Sequence, residues 1–187
     1  MRRAGTGLLE SGGRITWTVA DGRQSRRWRS MLSEDGTLVG SLLLETRPDG
    51  SVAKLELTTA AGLLTLHPDG SMLHGNVAGS AGVEHVALPW PERGLLLVIG
   101  SPATAAAAAR LLEPHVGVGE GRTFTGASIG VELGVVPTTF RVARLAERRW
   151  VFVVAATGDT LAVDLDDEGM PSLGGGDTWP LELDHGH

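Results

Sequence analysis

Two short clusters of arginine and tryptophan are the residues of this sequence best suited to hold a ligand. They are Arg26-Arg27-Trp28-Arg29 and Arg148-Arg149-Trp150. A guanidinium group can stack on an indole ring and can bind a phosphate or carboxylate through two hydrogen bonds. The clusters therefore suit an anionic or sugar-bearing ligand. The alternative is a β-strand whose tryptophan faces the core and whose arginines face water, the commoner use of charged residues.

The pentapeptide Gly126-Ala127-Ser128-Ile129-Gly130 matches the G-x-S-x-G pattern of serine hydrolases. In those enzymes the serine lies at a sharp turn between a strand and a helix. Residues 131–136 are mostly apolar, Pro137 follows them, and no helix is predicted there. We expect Ser128 to be a packing position in a strand of small residues that another backbone approaches closely. A hydrolase built from Ser128, a late acidic residue and His185 is the least favoured function.

Neither a metal nor a cofactor is predicted. His67, His74 and His85 could meet across strands as metal ligands, although no two of them have the spacing of a local pair. His185 and His187 have that spacing near the end of the sequence. Residues 164–169 resemble the first half of a calcium loop, but a glycine occupies the position of the closing carboxylate, so a turn is favoured. The absence of cysteine excludes disulfides and thiolate chemistry.

The elements that would position these residues are mainly strands. Ile15, Trp17 and Val19 alternate with threonines, which is the period of a strand with one buried face. Turn-forming triplets such as Pro48-Asp49-Gly50 and Pro68-Asp69-Gly70 separate several such runs and predict antiparallel hairpins. The predicted strands cover residues 14–20, 25–32, 38–46, 52–59, 63–67, 71–77, 83–88, 95–99, 123–133, 138–145, 149–157 and 160–166.

One helix is predicted, because Ser101 can cap the free amides, Pro102 suits the first turn and the alanine-rich run to Leu112 favours helix. Pro114 should end it. The predicted fold is a single highly curved antiparallel sheet, a β-roll or half-barrel, with this helix packed on or plugging one side. The 187 residues suit one domain, with flexible ends at 1–13 and 174–187.

The composition of the sequence limits the classes of partner and the cellular location that we expect. A net charge of −6 and a pI near 5.5 argue against general nucleic-acid binding, which needs a basic surface. The longest apolar runs, 94–99 and 151–156, are far shorter than the roughly 20 residues that span a bilayer. No apolar segment suited to a signal peptide follows the first residues. We therefore expect a cytoplasmic protein with no membrane span.

Three segments resemble a bacterial glycolipid-binding family. The element Ser101-Pro102-Ala103-Thr104, followed by Arg110-Leu111, is similar to its Thr-Pro-x-Thr element, and Arg26-Arg27-Trp28 and residues 163–169 are similar to an early and a late strand. The sequence departs from the family pattern at Ala105, which replaces an asparagine, and in having no tyrosine. The resemblance implies a spiral β-roll and a lipid-like ligand. It also implies an extended conformation near Ser101, against the predicted helix.

The favoured function is a non-enzymatic binding module with an apolar cavity inside the curved sheet. Arginines would hold a polar head group at the cavity mouth. Period-2 geometry places Arg27 opposite Trp28, and Arg149 opposite Trp150, so this head-group site should lie on the outer face or at the rim. The alternative is a homodimer that hides an apolar sheet face. The candidate ligand-binding residues are Arg27, Trp28, Arg149, Trp150, Leu42, Leu44, Leu55, Leu57, Leu64 and Leu66.

Overall fold

The computed structural model describes residues 2–9, 12–173 and 176–181, of which strands form the largest part. Strands account for 61% of the described residues and helix for 6%. The elements, in chain order, are β1 (Arg2–Leu8), β2 (Arg14–Asp21), β3 (Arg26–Glu34), β4 (Thr37–Thr46), β5 (Val52–Thr59), β6 (Gly62–Asp69), β7 (Met72–Gly79), β8 (Gly82–Pro89), β9 (Leu95–Val98), α1 (Pro102–Leu112), β10 (Gly121–Ile129), β11 (Val135–Ala146), β12 (Arg149–Val154), β13 (Thr160–Leu165), β14 (Pro171–Ser172) and β15 (Thr178–Pro180).

The strands form two curved sheets. A nine-stranded antiparallel sheet has the order β15-β1-β2-β3-β4-β5-β6-β7-β8, and a six-stranded sheet has the order β14-β13-β12-β11-β10-β9. The mainly β fold with strong sheet curvature and one short helix is confirmed. The strands divide between two sheets, however, where a single sheet was expected. In addition, β9 and β10 are parallel, because α1 provides the crossover connection that parallel neighbours require.

The hairpins follow the turn chemistry of the sequence. Strand β3 ends at Glu34, which pairs with Thr37 across a two-residue loop. Asp35 and Gly36 occupy that loop with φ values of 48° and 79°. Positive φ at both loop residues matches the right-handed twist of the flanking strands, and an Asp-Gly pair is suited to it. This turn fixes Glu34 at the C-terminal end of β3.

The first strand, β1, lies within residues 1–13, the segment that the sequence predicts to be a flexible end. Strand β1 pairs with β2 over seven residues and with β15 on its other side. Its sequence lacks apolar alternation because the inward-facing space beside Gly5 is filled by the ring of Trp17 from β2. At the other end, Thr178–Pro180 also forms a strand. His185 and His187 lie outside the described residues.

Helix α1 lies between the two sheets. Ten of its eleven residues are buried, and Arg110 is the exception. The predicted helix is confirmed, and the extended conformation implied by the family resemblance is wrong. One side of α1 packs in the core of the nine-stranded sheet, and the other packs against β9, β11, β12 and β13. The residues on the first side are Ala103, Ala106 and Ala107. Those on the second side are Ala105, Ala108, Ala109, Leu111 and Leu112.

The G-x-S-x-G segment lies in β10, next to the parallel strand β9. A side chain on Gly126 would overlap the backbone of Leu95, so only glycine permits this approach of the two strands. Ser128 pairs with Leu97 on one side and Val136 on the other. A tight turn, and not a helix, follows the segment at residues 130–134. The expected strand of small residues is confirmed, and the strand-to-helix turn of a serine hydrolase is absent at this position.

We expect Gly126→Ala to lower the free energy of unfolding by about 1–3 kcal/mol, because β9 and β10 must separate to make room for the methyl group. Gly130→Ala is the matched control at the other end of the pentapeptide, where a methyl group meets no atom within 4 Å. It should change stability by less than about 0.5 kcal/mol. Urea denaturation measures both. Equal stabilities of the two variants would contradict the close approach of the strands.

Candidate ligand cavity

A cavity of about 320 Å³ lies between the sheets at the end of the molecule where α1 begins. Its walls come from β2 to β5 of the nine-stranded sheet, from the β9–α1 connection and from the turn after β10. The apolar side chains that line it include Ile15, Leu32, Val39, Leu42, Leu57 and Val98. A concave, mostly apolar site with a few polar groups is the usual form of a small-molecule site.

The turn after β10 is fixed to the nine-stranded sheet by side-chain hydrogen bonds. Thr59 Oγ1 donates to the carbonyl oxygen of Val131 at 2.9 Å and accepts from the backbone amide of Ala61 at 3.1 Å. The amide of Ile99 also donates to the carbonyl of Ile129 at 2.9 Å. Of these bonds, the one between Thr59 and Val131 joins the turn after β10 to the nine-stranded sheet, whereas the bond between Ile99 and Ile129 continues the pairing of β9 with β10. The cavity is therefore bounded by both sheets.

Ser101, like Ser30, is a buried polar residue in this lining whose side chain has no hydrogen-bond partner among the described residues. It precedes α1 in an extended conformation and is only 8% exposed. Its hydroxyl makes no capping bond, and none of the described residues pairs with it. The predicted capping by Ser101 is therefore wrong. The hydroxyl of Thr104 binds the local backbone instead, accepting from the Val98 amide and donating to the Ser101 carbonyl at 3.0 Å.

The charged residues of the lining are both acidic. Glu34 and Glu132 stand at the exposed edge of the cavity. Among the described residues, no lysine, arginine or histidine lines it. An anionic head group would therefore meet two carboxylates and no counter-ion at this position. The electrostatics of the cavity are opposite to those of an arginine clamp.

The structure divides the six predicted cavity leucines into two groups. Leu42 and Leu57 line the cavity. The other four have no exposed surface and pack in the core between the sheets, namely Leu44, Leu55, Leu64 and Leu66. All six side chains occupy inward-facing positions of their strands. The period-2 pattern of the sequence therefore cannot distinguish the two groups.

The two tryptophans of the arginine clusters are buried, and their neighbours along the chain point away from them. Trp28 and Trp150 are about 1–2% exposed. Arg27 lies on the outer face and pairs with Glu45 at 2.6 Å, and Arg149 is exposed 3.8 Å from Asp164. The predicted opposite facing is thus confirmed. None of these four residues lines the apolar cavity.

Other arginines stack on these tryptophans. The guanidinium of Arg26 lies 5.8 Å from the centre of the Trp28 ring, and that of Arg144 lies 5.1 Å from the Trp150 ring. Arg26 is two residues before Trp28, so strand alternation could have identified this pair. Arg144 is directly opposite Trp150 on β11, and no local sequence signal identifies it.

A second, polar cavity of about 500 Å³ lies beside the C-terminal part of α1. Arg26, Arg148 and the acidic turn at residues 166–168 line it. Two of its three arginines are paired, because Arg26 donates two hydrogen bonds to Asp21 and Arg148 pairs with Asp167. Burial opposes ionisation of Asp21, but the hydrogen bond and charge of Arg26 outweigh it and lower the pKa of this carboxyl.

The histidines that were considered as possible metal ligands lie side by side on three neighbouring strands. His67, His74 and His85 form a row on the outer face of β6 to β8, with ring centres 6.2 and 6.0 Å apart. Within the described residues, no three side chains of metal-binding type are grouped to hold an ion. Residues 164–169 end β13 and form a turn in which Asp166 accepts from the amides of Glu168 and Met170.

Comparison with known proteins relates the chain to one solved fold. No protein-family profile matches the sequence, and no curated protein matches it. A crystal structure of a DUF1089 family protein from Pseudomonas aeruginosa is similar, with a TM-score of 0.57 and 15% identity. The similarity covers 84% of this chain and 86% of that one. At this identity it shows the fold, and the name of that protein states no ligand or activity.

The described part of the chain contains no helix that is both long and apolar enough to cross a bilayer.

We expect Ser101→Ala to raise the free energy of unfolding by about 1 kcal/mol, because it removes a buried hydroxyl without a partner. A serine that caps its helix would give the opposite sign, with a loss of about 1 kcal/mol. Thr104→Val is the matched comparison, since that hydroxyl makes hydrogen bonds, and its stability should fall by about 1 kcal/mol. Thermal denaturation measures both variants. A destabilised Ser101→Ala protein would contradict the absence of a partner.

We expect Asp21→Asn to lower stability at pH 7 by about 1–2 kcal/mol, an estimate reduced for the partial exposure of the pair. The folded-state pKa of Asp21 lies below its ordinary value of 3.8. Its contribution is therefore complete above the unfolded-state pKa and is lost as the pH falls through the folded-state pKa. When unfolding is measured between pH 7 and pH 2, the free energy of unfolding should fall less steeply with decreasing pH in the variant than in the unaltered protein. Glu45→Gln, which alters a more exposed ion pair, is the control. An equal pH dependence of the free energy of unfolding in all three proteins would contradict the contribution of Asp21.

Proposed function

We propose that this protein is a non-enzymatic binding module that holds an apolar, lipid-like molecule in the cavity between its sheets. The observation that carries the proposal is the apolar lining of a cavity of about 320 Å³ that opens at one end of the molecule. This volume lies at the lower end of the range of about 300–1,000 Å³ that small-molecule sites occupy. It favours a single short chain over a multi-chain lipid.

Burial of a hydrocarbon chain supplies the driving force. Each methylene group transferred from water contributes about 0.8 kcal/mol, so an eight-carbon chain contributes roughly 6 kcal/mol before the costs of association. Those costs bring the expected dissociation constant to roughly the millimolar range. Arg27 and Arg149 are not part of this proposal, because both lie on outer surfaces beside carboxylates. The predictions of a cytoplasmic location, of no nucleic-acid partner and of a single domain remain predictions.

Self-association is the second candidate function, and one surface row favours it. On the outer face of the nine-stranded sheet, Met31, Leu63 and Val83 lie in one register row across β3 to β8. Each has more than a third of its surface exposed, and Val83 is 74% exposed. Ser41 and Thr58 lie between Met31 and Leu63, so the apolar part of the row runs from Leu63 through Ala78 to Val83. Exposed apolar surface of this kind is a feature of protein interfaces. A second copy of the chain would cover this row.

We expect Val39→Trp to lower the affinity for 1-octanol at least tenfold, because the indole would occupy the cavity that the alkyl chain enters. Val39 is partly exposed at the edge of the cavity, so the variant should fold. Val83→Trp on the outer face is the matched control and should bind as the unaltered protein does. Isothermal titration calorimetry measures the affinities.

Unchanged octanol binding in Val39→Trp would contradict the cavity as the binding site. Absence of binding to the unaltered protein would remove the first candidate. Native mass spectra that show a dimer, dissociated by Met31→Lys, would then favour self-association.

A further inference from the structure

We infer that the cavity is a site for amphiphiles that carry a protonated amine at one end and an uncharged oxygen at the other. The inference rests on the proposed function and specifies the class of ligand for the same site. Two features of the lining support it. Ser30 presents an unpaired hydroxyl at the inner end of the cavity, and two glutamates present negative charge at its edge.

The depth of the cavity follows from rows of inward-facing residues that run across β2 to β5. The row nearer to the exposed edge consists of Ile15, Leu32, Gly40 and Thr59. The next row consists of Trp17, Ser30, Leu42 and Leu57. All of these residues except Trp17 line the cavity. The third row closes it, because its members are packed in the core, namely Val19, Trp28, Leu44 and Leu55. Ser30 therefore lies at the inner end of the cavity.

The hydroxyl of Ser30 is available to a ligand. Ser30 stands between the exposed residues Arg29 and Met31, so strand alternation directs its side chain inward, where it is more than nine-tenths buried. Its hydroxyl has no partner among the described residues, and it is not fully enclosed by protein atoms, as that of Ser101 is. Buried polar groups are nearly always hydrogen-bonded, so an unpaired hydroxyl on a cavity wall indicates a missing partner. A ligand oxygen can accept this hydrogen bond.

The edge of the cavity carries Glu34 and Glu132. Glu34 ends β3 in the nine-stranded sheet, and Glu132 lies in the turn after β10, so the two carboxylates come from different walls. Both are exposed, and within the described residues neither forms an ion pair. A protonated amine at this edge is attracted by both charges, whereas a carboxylate is repelled by both. Each exposed pair of this kind changes affinity by roughly 1.5- to fivefold.

The distance between the two polar ends sets the length of the ligand. Ser30 and Glu34 are four residues apart on β3. Four residues of a strand span roughly 13 Å, which an extended saturated chain of about eight carbons with a polar group at each end can bridge. The amine belongs at the edge, because a charge buried among the apolar residues around Ser30 would lose far more hydration energy than one hydrogen bond restores.

The test compares four probes at pH 7.5 by NMR titration, which measures weak binding. The probes are 8-amino-1-octanol, octylamine, 1-octanol and octanoate. The variants are Ser30→Ala and the double variant Glu34→Gln/Glu132→Gln. Ser172→Ala is an exposed serine control, and Glu84→Gln/Glu92→Gln removes the same charge at exposed positions outside the cavity.

The two carboxylates should favour amines over carboxylates. At low salt, octylamine should bind the unaltered chain at least about fivefold more tightly than octanoate does, and the difference should decrease at about 0.5 M salt. Glu34→Gln/Glu132→Gln should remove most of this difference, whereas Glu84→Gln/Glu92→Gln should retain it. Octylamine binding no tighter than octanoate, or an equal loss in the two double variants, would overturn the inference. Binding of 1-octanol would still support the proposed function in that case.

The Ser30 hydroxyl should be detected only by a ligand with an oxygen at its inner end. In Ser30→Ala, the affinity for 8-amino-1-octanol should fall about three- to tenfold, the effect of one neutral hydrogen bond, and the affinity for octylamine should not change. Ser172→Ala should leave both affinities unchanged. An equal response of the two amines to Ser30→Ala would overturn the inference. If none of the four probes binds the unaltered chain, the proposed function itself fails.

Discussion

The fold depends on one packing constraint, which is a helix buried on both sides between two curved sheets. Only small side chains let two sheets approach a helix closely, and α1 has alanine at six of its eleven positions. Ala106 and Ala107 face the core of the nine-stranded sheet, and Ala105 and Ala109 face the six-stranded sheet. Larger residues on either side would separate the sheets and expose their apolar faces. The two-sheet architecture and the parallel pairing of β9 with β10 both follow from the course of this helix.

The candidate cavity is a consequence of where the helix begins. Along α1, the concave face of the nine-stranded sheet is filled by alanines and by leucines without exposed surface. Beyond Ser101 the sheet continues without a helix to cover it, and no residue of α1 lines the cavity. Space, apolar walls and an unpaired hydroxyl are therefore found together at one end of the molecule. The unpaired hydroxyl of Ser101 lowers the stability of this end of the molecule.

Much of the architecture could be predicted from the sequence because its signals are local. Alternation along residues 14–20, Asp-Gly turns and a proline-initiated alanine run all act over a few residues, and each corresponds to an element of the structure. The missed features depend on distant partners. Strand β1 has glycine where an apolar residue would have marked it, since the ring of Trp17 fills that space. Arg144 reaches Trp150 only through the register of two strands.

The site was harder to predict, because identical patterns have different surroundings. Leu42 and Leu44 lie on the same face of β4, yet the first lines the cavity and the second is enclosed in the core. Nothing in the strand period separates them. The composition of the two arginine clusters suggests a site for an anionic ligand. In the structure, three of these arginines instead form ion pairs with Asp21, Glu45 and Asp167. Ser101 was identified only as a helix cap, and its lack of a partner required the three-dimensional surroundings.

The pairing of β1 with β15 has a consequence for how the chain folds during synthesis. Gly5 is opposite Thr178, so a strand made among the first residues acquires its second neighbour only when residues near 178 have left the ribosome. Until then one edge of the nascent sheet has unpaired amides and carbonyls, which can join strands of other chains. Contacts so distant along the chain also form slowly. Translation pauses and chaperone binding that act before that point should therefore influence how much protein reaches the native state.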